Sequence, residues 1–257
     1  MIKNKNLKSN FQIKDFWNFL TDLSYHPFVN STEKWKYFTG ICLKDLADSL
    51  QFTRNAFCSA IDSYNKEPLL KEEYPLSQKL FYFRYHFDYA SILLITSFNH
   101  LASAGYYFCF QKNELLKDHL TPSQILNPQR KLGIDEHESF KKLLKNITSN
   151  KSYKLISEYR HKIIHAGYPV IKGELRNSRK DIFEKKELVV AAIGKFGNGD
   201  FIGAVQRHDY TIFQLMYHSS KLFQLLLESI ITFLDGKYEK ENFTKYNLSF
   251  KEKVENG

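Results

Sequence analysis

The chain has 257 residues, and its apolar content of 43% is enough for a sizeable core in one large domain or two small ones. Its 37 lysines and arginines exceed its 28 aspartates and glutamates, a surplus that favours an anionic partner such as RNA, DNA, an acidic protein or a membrane surface. The three cysteines form no CxxC pair, which argues against a disulfide framework and a cysteine zinc site and favours the reducing cytoplasm. The N-terminal MIKNKNLKSNF lacks the apolar run of a signal peptide.

Helical periodicity dominates the first half of the chain. Apolar residues recur every three or four positions over Phe11–Leu23 and again from Glu33 to about Tyr64, as in amphipathic helices. Pro68 and Pro75 bracket a short linker. The pattern then predicts one long helix over Ser77–Lys112, which is apolar on nearly every side and should therefore be central.

The second half alternates helices with two irregular segments. Thr121–Gly133, with two prolines and a glycine, is predicted to be a loop, followed by a helix from about Asp135 to Ile147 and, after the polar TSNKS, by another helix. Over Glu187–His208 two β-prone runs, LVVAAIGKF and FIGAVQ, flank the turn signal GNGD and predict a hairpin. A last long helix is expected over Thr211–Leu234. The expected organisation is an N-terminal helical extension (1–70), a helical core (71–236) with the hairpin at about 187–208, and a charged tail (237–257).

Two segments are apolar enough to raise the question of a membrane. Asn99 and His100 interrupt the centre of the first, Tyr89–Phe110. The second, Ile212–Leu234, is interrupted by His218, Lys221 and Glu228. Both are predicted to be buried helices of a bundle, and no membrane partner is expected.

The stretch YRHKIIHAGYP, residues 159–169, concentrates polar groups at the end of a predicted helix. At 100° per residue, the apolar side chains of this helix fall within one arc of about 100°, which should face the core. They are Leu155, Ile156, Tyr159, Ile163 and Ala166. The residues outside that arc are Arg160, His161 and His165, together with Ser157, Ile164 and Tyr168. Gly167 and Pro169 end the helix, so His165 belongs to its last turn.

A histidine and an arginine on one face suit RNA cleavage. A histidine exchanges a proton near neutral pH, and a guanidinium is a planar donor for phosphate oxygens. If the base takes the proton of a ribose 2′-OH, that oxygen attacks the adjacent phosphate, and the cation stabilises the charge that develops. This chemistry needs no metal in principle.

The spacing of these residues resembles the RxxxxH signature of the HEPN superfamily, with Arg160, His161 and His165 in the three motif positions. The resemblance implies an all-α, HEPN-like helical bundle, here with a β-hairpin insertion between the last two core helices. It implies a homodimer in which two motif copies form one site that cuts RNA without a metal or other cofactor. His165 would act as general acid or base, Arg160 would stabilise the phosphorane, and His161 would orient the site or hold a phosphate. Family members act in toxin–antitoxin, CRISPR and phage-defence systems, so a toxin or anti-phage effector with an antitoxin or sensor partner protein is expected.

Other interpretations remain open at this point. The motif can belong to a catalytically silent HEPN-like module that binds RNA or a partner protein, or to an ordinary solvated face. His161 and His165 also suit zinc by their i, i+4 spacing, although no third ligand can be named. On the central helix, Arg84 and Asp88 form either a simple i, i+4 salt bridge or a pair that orients the motif from an adjacent helix. The looser match Arg130–His137 runs through a predicted loop and is interpreted as a decoy.

Overall fold

The computed structural model describes residues 11, 15–65, 75–130, 132, 134–165, 189–193 and 208–235. Helices dominate these ranges, which confirms the expected all-α class. In chain order the α-helices there are α1 (Phe16–Ser24), α2 (Lys34–Asn65), α3 (Pro75–Phe110), α4 (Pro122–Leu126), α5 (Glu138–Ser149), α6 (Lys151–His165) and α7 (Ile212–Asp235). Short 3₁₀ turns are found at Pro27–Asn30, Pro128–Arg130 and Ile134–Glu136.

The long helices lie within a few residues of the predicted ranges, and the larger differences are the start of the first helix and a helix within a predicted loop. The first helix begins at Phe16 rather than at Phe11, because Asp15 adopts a left-handed φ of 59° that an α-helix cannot contain. The predicted loop Thr121–Gly133 contains α4, so that prediction is wrong over those residues. Thr121 and Gln124 form a capping box and Pro122 occupies the first helical turn, and both features stabilise a helix start.

Two short strands pair antiparallel in the part of the chain that is described: β1 (Val189–Ile193) and β2 (His208–Thr211), with Ile193 opposite His208. β1 lies within the predicted run LVVAAIGKF. The predicted turn GNGD and the second predicted run FIGAVQ lie outside the described residues, so the hairpin itself stays a prediction.

The long helices α2 and α3 form the centre of the bundle. Phe38 near the start of α2 packs on Tyr107 near the end of α3, with ring centroids 5.1 Å apart, whereas Phe57 packs on Phe87 at 5.8 Å. The two helices therefore run antiparallel. Their shared core extends to α7, whose Phe223 packs against the rings of Phe11 and Phe16 near the N-terminus. None of the described helices combines the length and the hydropathy that crossing a membrane requires.

Candidate functional site

The helix α6 carries the predicted motif, and both the backbone N–H and the side-chain hydroxyl of Ser152 make polar contacts that fix its first turn. The Asn150 side chain accepts a hydrogen bond from the Ser152 backbone N–H at 2.8 Å, which caps the helix. The Ser152 hydroxyl lies 2.9 Å from Nδ1 of His218 on α7. Further along, α6 packs against α3 and α7. These contacts place the helix with a defined rotation about its axis.

The predicted apolar stripe of α6 faces the core. Leu155, Ile156 and Tyr159 are buried and Ile163 is half-buried, as the helical period predicts. Tyr153 packs edge-on against Phe98 of α3, with ring centroids 5.3 Å apart. Ala166 lies outside the described residues. The opposite face of α6 is therefore the one that remains available for chemistry.

A buried polar network fastens α6 to α3 one residue before Arg160. The Tyr159 hydroxyl donates a hydrogen bond of 2.5 Å to Oδ1 of Asp88, and the Tyr159 ring packs edge-on against Phe87 at 5.4 Å. Oδ2 of Asp88 lies 3.5 Å from Nε of Arg84, a distance typical of an ion pair and longer than a good hydrogen bond. The predicted i, i+4 salt bridge is thus present, and Asp88 also reaches the motif helix through Tyr159.

Burial controls the ionisation of this network. It raises the pKa of Asp88 to about 6, although the Tyr159 hydrogen bond and the Arg84 charge act in the opposite direction. The pKa of Tyr159 is raised well above its ordinary value, first by burial and then by the Asp88 charge. Near pH 6 the Asp88 carboxyl is therefore about half protonated, while the Tyr159 hydroxyl keeps its proton.

Arg160 occupies the border between the core and the exposed face. Its side chain is half-buried, and its Nε is buried without a hydrogen-bond partner among the described residues. The Arg160 charge lowers the pKa of Tyr153, two turns earlier, although burial raises that pKa to about 12 overall. A buried guanidinium N–H without an acceptor is costly, so this group is suited to an anionic ligand.

The other predicted site residues are distributed around the exposed face. His161 and Ile164 are exposed, and Ser157 is half-buried. His165 is the last residue of α6, and its side chain lies outside the described part of the chain, as does all of Tyr168. The structure thus brings Arg160, His161, Ser157 and Ile164 onto one side of the helix.

The Ser152–His218 contact was not predicted from the sequence, where His218 appears only as an interruption of an apolar run. A serine at hydrogen-bond distance from a histidine resembles a nucleophile and its base. However, the pKa of His218 is lowered by burial and then by the Lys151 charge. A catalytic histidine is usually oriented by a carboxylate, whereas here a cation lies nearby. We interpret the pair as a structural contact between α6 and α7 and not as a catalytic pair.

Within the described ranges, one group of three side chains has the composition and spacing of metal ligands, and it lies away from α6: Asp45, His100 and His119. The zinc interpretation of His161 and His165 is not tested by this, because the His165 side chain lies outside the described residues. His100 was visible in the sequence as a polar interruption of the central helix.

No protein-family model matches this chain, and neither a curated protein nor a solved structure matches it significantly. The function is consequently inferred from the residues of the site itself.

Proposed function

We propose that the chain is a metal-independent endoribonuclease of the HEPN type, acting in the cytoplasm as a toxin or anti-phage defence effector. The observation that carries the proposal is the setting of Arg160. Its guanidinium is half-buried, and its Nε has no hydrogen-bond partner among the described residues. It lies beside an exposed histidine, on a helix whose opposite face is held to the core by the Tyr159–Asp88 hydrogen bond. His165 follows in the last turn of the same helix.

Each motif residue has a defined role in this reaction. His165 takes the proton from the 2′-OH or returns one to the leaving 5′-oxygen, and Arg160 stabilises the negative charge on the phosphorane. His161 orients the site or holds a neighbouring phosphate. The products are a 2′,3′-cyclic phosphate and a 5′-hydroxyl, because the nucleophile belongs to the RNA rather than to water.

The anchoring of α6 supports this role for Arg160. The Tyr159–Asp88 hydrogen bond sets the rotation of α6 directly next to Arg160. A preorganised cation costs little reorganisation when charge develops in the transition state. Asp88 and Arg84 are therefore proposed as positioning residues, not as groups that touch the RNA.

Exposed aromatic side chains near this anchor support a single-stranded RNA substrate. Tyr82, Tyr85 and Tyr89 share one face of α3 and are 40%, 67% and 50% exposed. They lie within two turns of Asp88 on the same helix. Exposed rings can stack on unpaired bases, and the net charge of +9 favours a polyanion.

The site is proposed to be completed by a second copy of the chain. On one helix Arg160 and His165 point about 140° apart, which is too divergent for both to grip one phosphate. A twofold axis beside the exposed Ile164 would bring the arginine of one copy near the histidine of the other. We also propose that an antitoxin or sensor protein restrains or triggers the activity.

The decisive experiment incubates the purified chain with end-labelled RNA in EDTA and sequences the new ends. The expected result is cleavage that persists in EDTA, leaves 2′,3′-cyclic phosphate ends and fails at a site carrying 2′-O-methyl. Cutting of the methylated site would exclude the mechanism. Specific RNA binding without any cutting would favour the silent binding module instead.

A matched control is provided by the decoy motif. His137 packs its ring on Phe110, with centroids 4.7 Å apart, at the start of α5. The variant His137→Ala should therefore keep full cleavage, whereas the corresponding change in α6 should not.

A further inference from the structure

His100 is a buried histidine on the central helix α3. Its side chain is only 7% exposed, and its Nδ1 has no hydrogen-bond partner among the described residues. Burial lowers its pKa to about 4, so the ring is neutral near pH 7 and keeps a lone pair available. A buried imidazole nitrogen without a partner is unfavourable, which suggests that the site has a ligand.

His119 is held beside α3 by the segment that follows this helix. Two hydrogen bonds fix the segment: the Leu120 N–H donates to the Ser103 hydroxyl at 2.9 Å, and the Leu116 N–H donates to the Tyr107 hydroxyl at 2.8 Å. His119 itself is exposed. Its ring meets that of the buried α3 histidine edge-on, with centroids 4.3 Å apart.

Asp45 brings a carboxylate to the same place from α2. Its side chain is half-buried, and burial is the main cause that raises its pKa, while His119 acts to lower it. Asp48 and Lys44 contribute smaller, opposing effects. Three separate elements, α2, α3 and the following segment, thus supply one polar side chain each.

We propose that Asp45, His100 and His119 bind a divalent transition metal, for which Zn²⁺ is the best match. One ligand atom from each residue lies within 4.8 Å of those of the other two. In a tetrahedral zinc site, with bonds of about 2.0–2.1 Å, ligand atoms are about 3.3 Å apart. Binding of the ion would draw the three ligand atoms together to that separation.

The ligand types favour zinc over magnesium and calcium. Two imidazoles and one carboxylate are borderline ligands that suit Zn²⁺, whereas Mg²⁺ and Ca²⁺ prefer oxygen ligands. Three protein ligands leave a fourth position for water. The bound ion would link the two central helices and the segment after α3, and so stabilise the fold.

This metal site is distinct from the proposed ribonuclease site. His100 lies 12 residues beyond Asp88 on α3, a rise of about 18 Å along the helix axis. The ion would therefore have no part in the cleavage chemistry.

The test uses the full-length protein stripped with EDTA and dialysed. Added Zn²⁺ at ~100-fold above its Kd should raise the Tm by about 5 °C or more, and added Co²⁺ should give the visible absorption bands of a four-coordinate site. Each variant is compared with its own metal-stripped form, so that a change in basal stability does not enter the result.

Two variants test the ligands, and one serves as a control. His119→Ala removes an exposed ligand and Asp45→Asn weakens another, so both should lose the Zn²⁺-dependent Tm increase and the Co²⁺ bands. His86→Ala removes a partly exposed histidine elsewhere on α3 and should retain both. The proposal is overturned if the wild type gives neither signal, or if both ligand variants respond as the wild type does. These readouts involve no RNA, so they are independent of whether the chain cuts it.

Discussion

Arg160 and His165 of the motif differ in the chemistry that they are proposed to contribute. Replacing His165 with Ala removes the group that transfers the proton and should lower the cleavage rate by about a hundredfold or more, with little change in RNA affinity. Arg160→Lys keeps the charge but loses the planar donor fork, so it should reduce cleavage more than binding. Cleavage rates and filter-binding affinities measured on the same RNA separate the two effects.

The pH profile provides the check on this assignment. A histidine that acts as base or acid makes the rate depend on pH between about pH 5 and 8. That dependence should disappear from the residual activity of the His165→Ala protein. If the variant binds RNA poorly and the wild type never cuts, the motif is a docking surface.

Asp88 should make the stability of the protein depend on pH. Its pKa in the folded protein is about 6, above its ordinary value of 3.8. Between these values the folded state holds a proton that the unfolded chain has released, so the free energy of unfolding falls as pH rises. The loss should total about 3 kcal/mol, at 1.36 kcal/mol for each pH unit of the shift.

The variant Asp88→Asn isolates this contribution. The asparagine side chain has no proton to lose in this range, so the stability of the variant relative to the wild type should rise as the pH is increased from 4 to 7. Urea unfolding of both proteins across that range gives the difference, from which the effects of other titrating groups cancel. Parallel pH curves for the two proteins would show that Asp88 ionises as an ordinary surface carboxylate does.

The packing of helices depends at one position on the absence of a side chain. A Cβ atom on Gly40 of α2 would lie 2.5 Å from the backbone nitrogen of Val29 and 2.6 Å from the carbonyl carbon of Phe28. These are backbone atoms of the 3₁₀ turn before α2, and they cannot move aside by changing a rotamer. The turn can therefore approach the helix only because residue 40 is a glycine.

Gly40→Ala should accordingly destabilise the protein by roughly 1–3 kcal/mol, the usual cost of overpacking. The sign is informative, because in an open helical position the same change is stabilising by up to about 1 kcal/mol. Thermal or urea unfolding measures the effect. Lys44→Ala, at an exposed position one turn further along α2, should change stability by no more than about 0.5 kcal/mol.

For the protein as a whole, the proposed mechanism requires a dimer. Ile164 is 43% exposed on the face of α6 that carries the motif. Ile164→Asp would place a carboxylate in an apolar contact and near the bound phosphate, so it should weaken both dimerisation and cleavage. Sedimentation velocity and the RNA assay, run at the same protein concentrations, measure the two losses.

The matched control for this change is Phe52→Asp, which replaces another exposed apolar side chain, 51% exposed, on α2. It should leave both the dimer and the activity intact. A wild-type protein that is monomeric at working concentrations and still cuts RNA at full rate would contradict the shared site.

The helical periods in the sequence are enough to predict the long helices and the buried face of α6. Side-chain direction repeats every 3.6 residues within a helix, so the local sequence alone places Tyr159 on the buried face and His161 on the exposed face. The helix α4 was missed, although its start has a local signal: Thr121 and Gln124 have the spacing of a capping box, and Pro122 follows the N-cap. The left-handed conformation of Asp15 could not be predicted, because no glycine or other strong turn signal is present at that position.

Contacts between helices were decided only by the tertiary structure. Asp88 and Tyr159 are 71 residues apart in the chain, and their hydrogen bond exists because α6 packs antiparallel to α3 at that level. The same applies to the group formed by Asp45, His100 and His119, which three separate elements bring together. A periodic pattern specifies which way a side chain points from its own helix. Which side chain of another helix that residue contacts depends on the axial register between the packed helices, and the register is set by the folded core.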